Sequence, residues 1–523
     1  MENIYKNLAS QLKKKGISTI NVDYYNHIMN WKEWYSGSVD DFHFYNLKLC
    51  DGTTVQCEKK TMNMAKKSCE DMEKLNWSSK CDIKLGSEEK TKALWKVLDS
   101  KQNNFTIMFP QMLELAFALG TTAMTEYKDT LERTRIEYIN DAMQIIPYAY
   151  DNFNITGFVV FNQWLDEESE KDKKIYYTHL TYHEFKTEKD KKNDYKQVYR
   201  KYNELYESDD INKLGKEIDF ESMFPDVEEL VEYDTDTPHF QIIKPPIANN
   251  LDIETPMGLS IFANSIDKLK AIDNKYDGFD QEYIDGRRKI LVDKTALKGS
   301  PQVNDDGTIT TKLYFDKNDR TFVAINGMEN QPVKEIAFDI RKDDYIDGIN
   351  AELNWFGAGL GFGETFYRFD DTKNMATATQ ILSEDDDAFR TKQNYETMIK
   401  DVIIDLVKSV CFLENIEVTD DEIQIEFDYS RFENQEATQQ RLEREVANGI
   451  TSKVEYRMKV YNETEEVARK KIQDIEAETP KIDDLLKDDK ENNSENNDDS
   501  KKENKENQKD KIDKKEKGDK QND

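Results

Sequence analysis

Residues 260–280 read SIFANSIDKLKAIDNKYDGFD, and the stretch organises the sequence on both sides of it. Phe262, Ile266, Leu269, Ile272, Tyr276 and Phe279 recur every three or four positions, one apolar stripe along about six turns of helix. Asp267, Asp273 and Asp277 fall among its polar positions. Pro256 and Gly258 precede the helix and Gly286 ends it. The period then changes. RKILVD, TITTKLYF, TFVAIN and VKEIAFDI, between Lys289 and Phe338, read as short strands parted by the turn signals Asp306-Gly307 and Asn326-Gly327. A second helix follows at Asp343 to Phe356, and after it GAGLGFGETFYRFDDTKNMA, a glycine-rich and then polar loop. The pattern predicts a β-rich module of about 50 residues framed by two helices.

Working outward, Thr377 to Leu413 forms one helical pattern, acidic and polar in its first half and apolar in its second. Its length, about 55 Å if straight, predicts a bent helix or one shared between two environments. Ile416 to Tyr429 alternates around Asp420-Asp421 as a hairpin should. Glu433 to Glu476 reads as two or three short helices broken near Asn448-Gly449 and Asn462. The last stretch, 487–523, has one large aliphatic, no aromatic and 11 Lys against 13 acids, the composition of a disordered tail. The first 250 residues are mixed. Helices are expected at Thr61 to Leu75 and Phe109 to Ala118, and strands at Arg135 to Asn140, Gly157 to Leu165 and Lys174 to Phe185. The fold class is α+β, in about three or four domains for 523 residues.

Lys plus Arg number 74 and Asp plus Glu 106, a net charge of −32. Almost all of that charge belongs to the body, because the tail nearly cancels. So acidic a surface argues against gripping DNA by neutralising phosphates over a broad face. Cys50, Cys57, Cys69, Cys81 and Cys411 are odd in number and form no CxxC, so a reduced, cytosolic origin is expected, with neither a disulfide framework nor a zinc knuckle. The start, MENIYKNLASQLKKKG, has no apolar signal core. Asn104 to Met124 is apolar but interrupted by Pro110, Gln111 and Glu114, which predicts a buried helix and no membrane span.

Catalytic patterns fail on detail. The run Gly357, Gly359, Gly361, Gly363 follows a helix, contains no Lys and matches neither dinucleotide nor P-loop spacing, so a mobile loop is expected. His179 and His183 form HxxxH without the following Glu, in a segment that reads as strand, where i and i+4 lie about 13 Å apart. Asp385 to Asp387 and Asp370-Asp371 read as solvated faces rather than magnesium sites. No GxSxG occurs and Cys69 has no neighbouring His. Tyr24, Tyr25, Trp31, Trp34, Tyr35, Phe42, Phe44 and Tyr45 read as a satellite hydrophobic cluster, since Asp40 and Asp41 stand where a nucleic-acid stacking platform would carry basic residues. No catalysis, cofactor or metal is expected.

Trp31-x-x-Trp34-Tyr35-x-Gly37, Met64 to Trp77 (MAKKSCEDMEKLNW), Thr255 to Phe279 and the join at Thr377 to Glu384, in this order, resemble the phage portal proteins of siphophages of Gram-positive hosts. The likeness runs from about Asn21 to Glu476. It implies a portal-type fold with a wing over 1–253, a stem helix over 254–286, a clip over 287–340 and a second stem helix over 341–358. A tunnel loop over 359–376, a kinked helix with the second part of the wing over 377–432, a crown over 433–486 and the charged tail over 487–523 complete it.

The resemblance further implies a homo-oligomeric ring, of about twelve subunits, at one capsid vertex of a virion assembled in the host bacterial cytoplasm. Double-stranded DNA would pass through its channel at packaging and ejection. Its other partners would be the terminase large subunit, a head-completion or adaptor protein, and the major capsid and scaffolding proteins, with no membrane. Phe362, Glu364, Thr365, Arg368, Asp370, Asp371 and Lys373 are the expected channel-facing residues of the tunnel loop. Acids there and on the stem helices would repel phosphate and keep the duplex centred, with Arg368 and Lys373 making transient contacts. The alternatives are another non-catalytic virion component, such as a minor capsid or tail protein, and a metal-dependent hydrolase using His179 and His183.

Overall fold

The computed structural model describes residues 2–478 apart from 49–51, 167–173, 190–194, 294–298, 305, 314–321, 326–332, 364, 370–377, 430–441, 447, 449–450 and 462–464. The chain divides into two compact units, Met1–Tyr429 and Ser430–Asp523. The expected charged tail, most of the acidic loop and the Asn326-Gly327 turn lie outside the described residues.

Two antiparallel sheets build the core of the first unit. One has the order Lys216–Ile218, Tyr195–Ser208, Tyr176–Lys189, Asn154–Leu165, Ile145–Asp151, with Leu230–Asp234 also paired to Tyr195–Ser208. The other has the order Phe240–Ile243, Thr122–Lys128, Thr134–Ile139. Their apolar faces meet through Ala123, Ile139, Ile145, Ile155, Phe158, Val160, Tyr199 and Phe240, all buried. Helix Phe105–Leu119 carries Pro110 near its start and buries Phe105, Phe109, Met112, Leu113 and Phe117, as its apolar run predicted. Among the described residues no helix is long and apolar enough to cross a membrane.

Five of the eight amino-terminal aromatics sit in helix Tyr24–Ser36, which buries Tyr24, Tyr25, Trp31 and Trp34. Phe42 lies in the helical turn Asp40–His43, and Phe44 and the exposed Tyr45 lie in strand Phe44–Lys48. Those in the helix are packing, with Tyr24 donating to Gly258 O at 2.7 Å and Tyr25 to Ile145 O at 2.8 Å. Where the chain approaches the diagnostic helix, Gly258 passes against Gly120, whose φ is +81°. A Cβ on either glycine would overlap the other's carbonyl, so both positions need glycine.

Helix Ile266–Asp285 then runs out, and strand Lys289–Asp293 starts a small sheet, parallel to Phe322–Ile325 and antiparallel to Val333–Ile336. Between its strands in the chain, Gly299–Val303 and Ile309–Leu313 form a separate hairpin, turning at Asp306-Gly307 with Gly307 at φ +78°. Helix Lys342–Gly359 returns, and helix Ala378–Leu413, 36 residues long, runs back to the sheets.

One expectation fails outright. Ile416 to Tyr429 is no local hairpin: Asp420–Glu422 forms a turn, and Gln424–Glu426 pairs antiparallel with Asp82–Lys84. The alternation was real, but the partner strand lies some 340 residues earlier in the chain. In the second unit, helices Lys453–Tyr461 and Glu465–Glu478 follow a helical turn at 442–446, and Tyr456 donates to Glu443 at 3.2 Å.

Candidate functional site

The two helices that frame the β module pack antiparallel, and their contacts set a common scale of height. Near one end a Cβ on Gly359 would touch Ser265 Oγ, and next Lys275 Nζ meets Glu352 Oε1 at 2.6 Å. Further along, Gly278 lies under the Tyr345 ring. At the far end Arg341 makes a two-pronged pair with Glu282, at 2.7 and 3.1 Å. That hydrogen bonding holds the Glu282 carboxyl below its ordinary pKa.

The polar positions of the first helix are not all solvated. Asp273 is buried and accepts from Thr61 Oγ1 and from the Met62 backbone N–H, both at 2.9 Å, with His43 Nε2 at 3.1 Å. Asp277 accepts from the Lys60 N–H at 3.1 Å, and Asp280 pairs with Lys60 Nζ at 2.7 Å. A row of carboxylates therefore docks the strap 59–62 onto the helix. Periodicity alone cannot separate such a docked acidic face from a wet one.

The glycine run also differs from the expected mobile loop. Helix continues to Gly359, and Gly361 at φ +83° turns the chain under Thr391, which donates to Gly361 O at 2.8 Å. Phe362 is 1% exposed and stacks on Phe366 at 4.4 Å, with Tyr367 across both. Phe369 takes its backbone hydrogen bond to Asn350 Oδ1 at 2.7 Å and wedges between Tyr276 and Phe279. Of the seven channel residues expected, Phe362 is buried in this aromatic stack. Thr365 and Arg368 are half-buried beside it. Glu364, Asp370, Asp371 and Lys373 lie outside the described residues. The signal missed in the sequence is the spacing Phe362, Phe366, Tyr367, Phe369, which reads as a dock once Tyr276 and Phe279 face it.

The long helix is held at two depths. Lys392 is buried, donates to Leu75 O at 2.8 Å at the end of helix Met64–Asn76, and pairs with Glu396 at 2.9 Å. Glu396 accepts from Tyr429 at 2.6 Å. Four turns on, Ser409 donates to Glu126 at 2.8 Å and touches His239 Nδ1 at 2.7 Å, while Gln241 donates to the same Glu126 oxygen at 3.1 Å. Burial pushes Glu126 up to about 8 and His239 down to about 4, so both are neutral near pH 7. Ser, His and acid meet here, but the serine lies between the other two, so the histidine has no acid to orient it as a base.

His179 and His183 do not converge on a ligand. His179 bonds Asn203 at 3.1 Å and stacks on Phe220, whereas His183 bonds the Tyr199 hydroxyl at 2.9 Å and stacks on Phe158. The hydrolase alternative required both as ligands of one metal. Among the described residues no group of three or more His, Cys, Asp or Glu is placed to hold a metal ion. Cys57, Cys69, Cys81 and Cys411 are free thiols, and burial raises Cys411 to about 11.

A helix pair with a β module at one end, an aromatic-docked return at the other and a long helix locked into a sheet-rich body defines a subunit built to hold segments in place. The chain belongs to the family described as Phage portal protein, SPP1 Gp6-like, whose family model matches residues 14–485. No curated protein matches it. Among solved structures it is similar to a chain from the neck of an empty GTA particle computed with C6 symmetry. The two are 10% identical with a TM-score of 0.39, covering 76% of this chain and 89% of that one. It is also similar to a chain from the neck of a native GTA particle computed with C12 symmetry, 9% identical with a TM-score of 0.37 at the same coverage.

Proposed function

We propose that this portal protein assembles into a closed ring, of about twelve copies, at one vertex of a virion capsid, and that double-stranded DNA passes through the ring at packaging and ejection. The observation that carries the reading is the family match over 14–485, spanning both framing helices, the β module between them and the loop that follows the second helix. In this reading the β module, 287–340, is the docking platform for the terminase large subunit and later for a head-completion or adaptor protein. Capsid and scaffolding proteins surround the wing. The DNA-facing segment begins after the aromatic dock, with Asp370, Asp371 and Lys373, while Glu364 and Arg368 flank it. Acids at that level favour sliding over gripping, because each phosphate contact would act as a brake. The chain itself is non-catalytic in this scheme, and the motor is a separate protein.

Mass photometry with negative-stain class averages tests the ring. Twelve copies of 61.4 kDa give an open-centred particle of about 740 kDa. Open filaments, a small closed dimer, or a chain that stays monomeric when co-expressed with its scaffolding protein would overturn the reading.

A further inference from the structure

The three-stranded sheet ends on strand Phe240–Ile243, which pairs with Thr122–Lys128 and with no other described strand. The ladder fixes which way each residue faces. The Glu126 N–H donates to His239 O at 3.2 Å, so His239, Gln241 and Ile243 turn their backbone groups towards Thr122–Lys128. Phe240 and Ile242 therefore turn theirs outward, where no described residue bonds them.

A groove of about 810 Å³ runs along this edge. Pro238, Phe240, Gln241, Ile242 and Lys244 line it, and consecutive strand residues share one groove only where it meets the strand edge-on. One wall is the long helix, with Met398, Asp401, Val402 and Asp405, and the other is the larger sheet, with Ile155 and Phe185. Asp401 and Asp405, one turn apart, make no hydrogen bond or ion pair with any described residue. The groove's two lysines are committed elsewhere: Lys408 to Asp420 at 2.6 Å, and Lys244 to the Phe153 and Pro256 carbonyls at 2.6 and 3.1 Å. Burial raises the Asp405 carboxyl above its ordinary pKa, so a cation brought to it is favoured.

We infer that this edge takes a short extended segment of a partner protein in which Lys or Arg alternates with apolar residues. The segment adds antiparallel, as both existing pairs of this sheet are, and exchanges hydrogen bonds with Phe240 and Ile242. Side chains alternate across the sheet. Gln241 points to the helix side, since it donates to the Glu126 that Ser409 also holds, whereas Phe240 points into the core between the sheets. Residues of the segment opposite Phe240 and Ile242 thus meet Ile155 and Phe185 and must be apolar. Those between them meet Asp401 and Asp405 and must be cationic. Pro238 before the strand and Pro245-Pro246 after it bring no N–H, which limits the addition to about five residues. A chain of net charge −32 favours a basic partner over a second copy of itself.

The probe is the peptide acetyl-Lys-Val-Lys-Val-Lys-amide with a fluorophore, followed by anisotropy against the full chain at about 0.15 M salt. Saturable binding is expected, with amide exchange slowed by excess peptide at Phe240 and Ile242. Methylating both valine nitrogens removes the donors to the edge and should weaken binding at least about tenfold, as should Asp401→Asn with Asp405→Asn. The peptide with Glu in place of Lys should not bind. Ile242→Pro loses only an outward N–H and should abolish binding with circular dichroism unchanged; the methylated peptide decides the matter if that variant fails to fold. A methylated peptide that binds as well as its parent would reduce the effect to attraction by an acidic surface and overturn the inference. So would an absence of binding, or exchange at Phe240 and Ile242 that slows with protein concentration alone, which would give the edge to a second copy.

Discussion

The long helix Ala378–Leu413 is anchored twice to the same body, and the two anchors handle charge in opposite ways. At Lys392 the anchor is ionic: a buried ammonium between a carbonyl and a carboxylate that itself accepts from a tyrosine. At Ser409 it is neutral: a carboxyl kept protonated by burial, bridged by a hydroxyl to an uncharged histidine. A buried ion pair resists pH change but fails badly when one partner is removed. A neutral network tolerates the loss of a charge, since it has none, and is sensitive to pH instead. The end nearer the loop, where Thr391 holds Gly361, is the ionic one. The end packed on the sheets is the neutral one.

The comparison breaks first at Lys392. Lys392→Met leaves Glu396 buried with only Tyr429 to satisfy it, and is expected to cost about 3–5 kcal/mol in chemical denaturation. The double change with Glu396→Leu should recover most of that loss. If the single change costs no more than a surface substitution, the ionic anchor is not holding the helix.

Next comes the pH response of the neutral end. Folded Glu126 keeps its proton up to about pH 8, against 4.5 for its ordinary value. Between those values the folded state holds the extra proton, so this contribution is complete below 4.5 and is lost as pH rises through 8. His239 works the other way, about 4 against 6.5, so the unfolded state holds the extra proton there and stability rises with pH across that window. Burial also raises Asp405, which adds to the fall. Denaturation curves should therefore lose about 2 kcal/mol between pH 6.5 and 8.5, and Glu126→Gln should flatten that loss and uncover, between 4.5 and 6.5, the His239 rise that Glu126 cancels in the wild type. An unchanged slope in the variant would place the titrating group elsewhere.

Smaller again is the aromatic dock. Phe369→Ala removes a half-buried ring from between Tyr276 and Phe279, at a cost of about 1–2 kcal/mol, and hydrogen exchange over 360–369 should speed up before the helices respond. Protection unchanged in that segment would mean that the Asn350 and Thr391 hydrogen bonds hold it without the ring. The least effect is expected at Glu282. Its pair with Arg341 is solvent-facing, and Glu282→Gln should leave the melting midpoint where it was.

The helix Ile266–Asp285, the module after it, the return helix and the long helix were all legible from periodicity, to within a few residues at their ends. So was the buried character of Phe105–Leu119 and of Tyr24, Tyr25, Trp31 and Trp34, while Tyr45 of the same expected cluster is exposed. The docking of the first helix's acids was not legible, because a carboxylate docked on a backbone N–H and one in water occupy the same helical positions. Gln424–Glu426 was misplaced because alternation names a strand but not its partner. Phe362 was placed on the channel side only by the family resemblance, and its stacking on Phe366 came only with the folded chain.

What this sequence determined by itself is therefore local and periodic: where helices run, where the period changes from 3.6 to 2, and that the body is acidic and poor in catalytic patterns. These follow from spacing along the chain, which short-range sterics and amphipathicity convert directly into structure. Tertiary structure alone decided which polar groups are buried and with whom. Asp273 meets Thr61, Lys392 meets Leu75 and Ser409 meets Glu126 across some 210 to 320 residues of chain. The free energy of a buried charge depends on the partner brought to it, and no spacing rule encodes that partner.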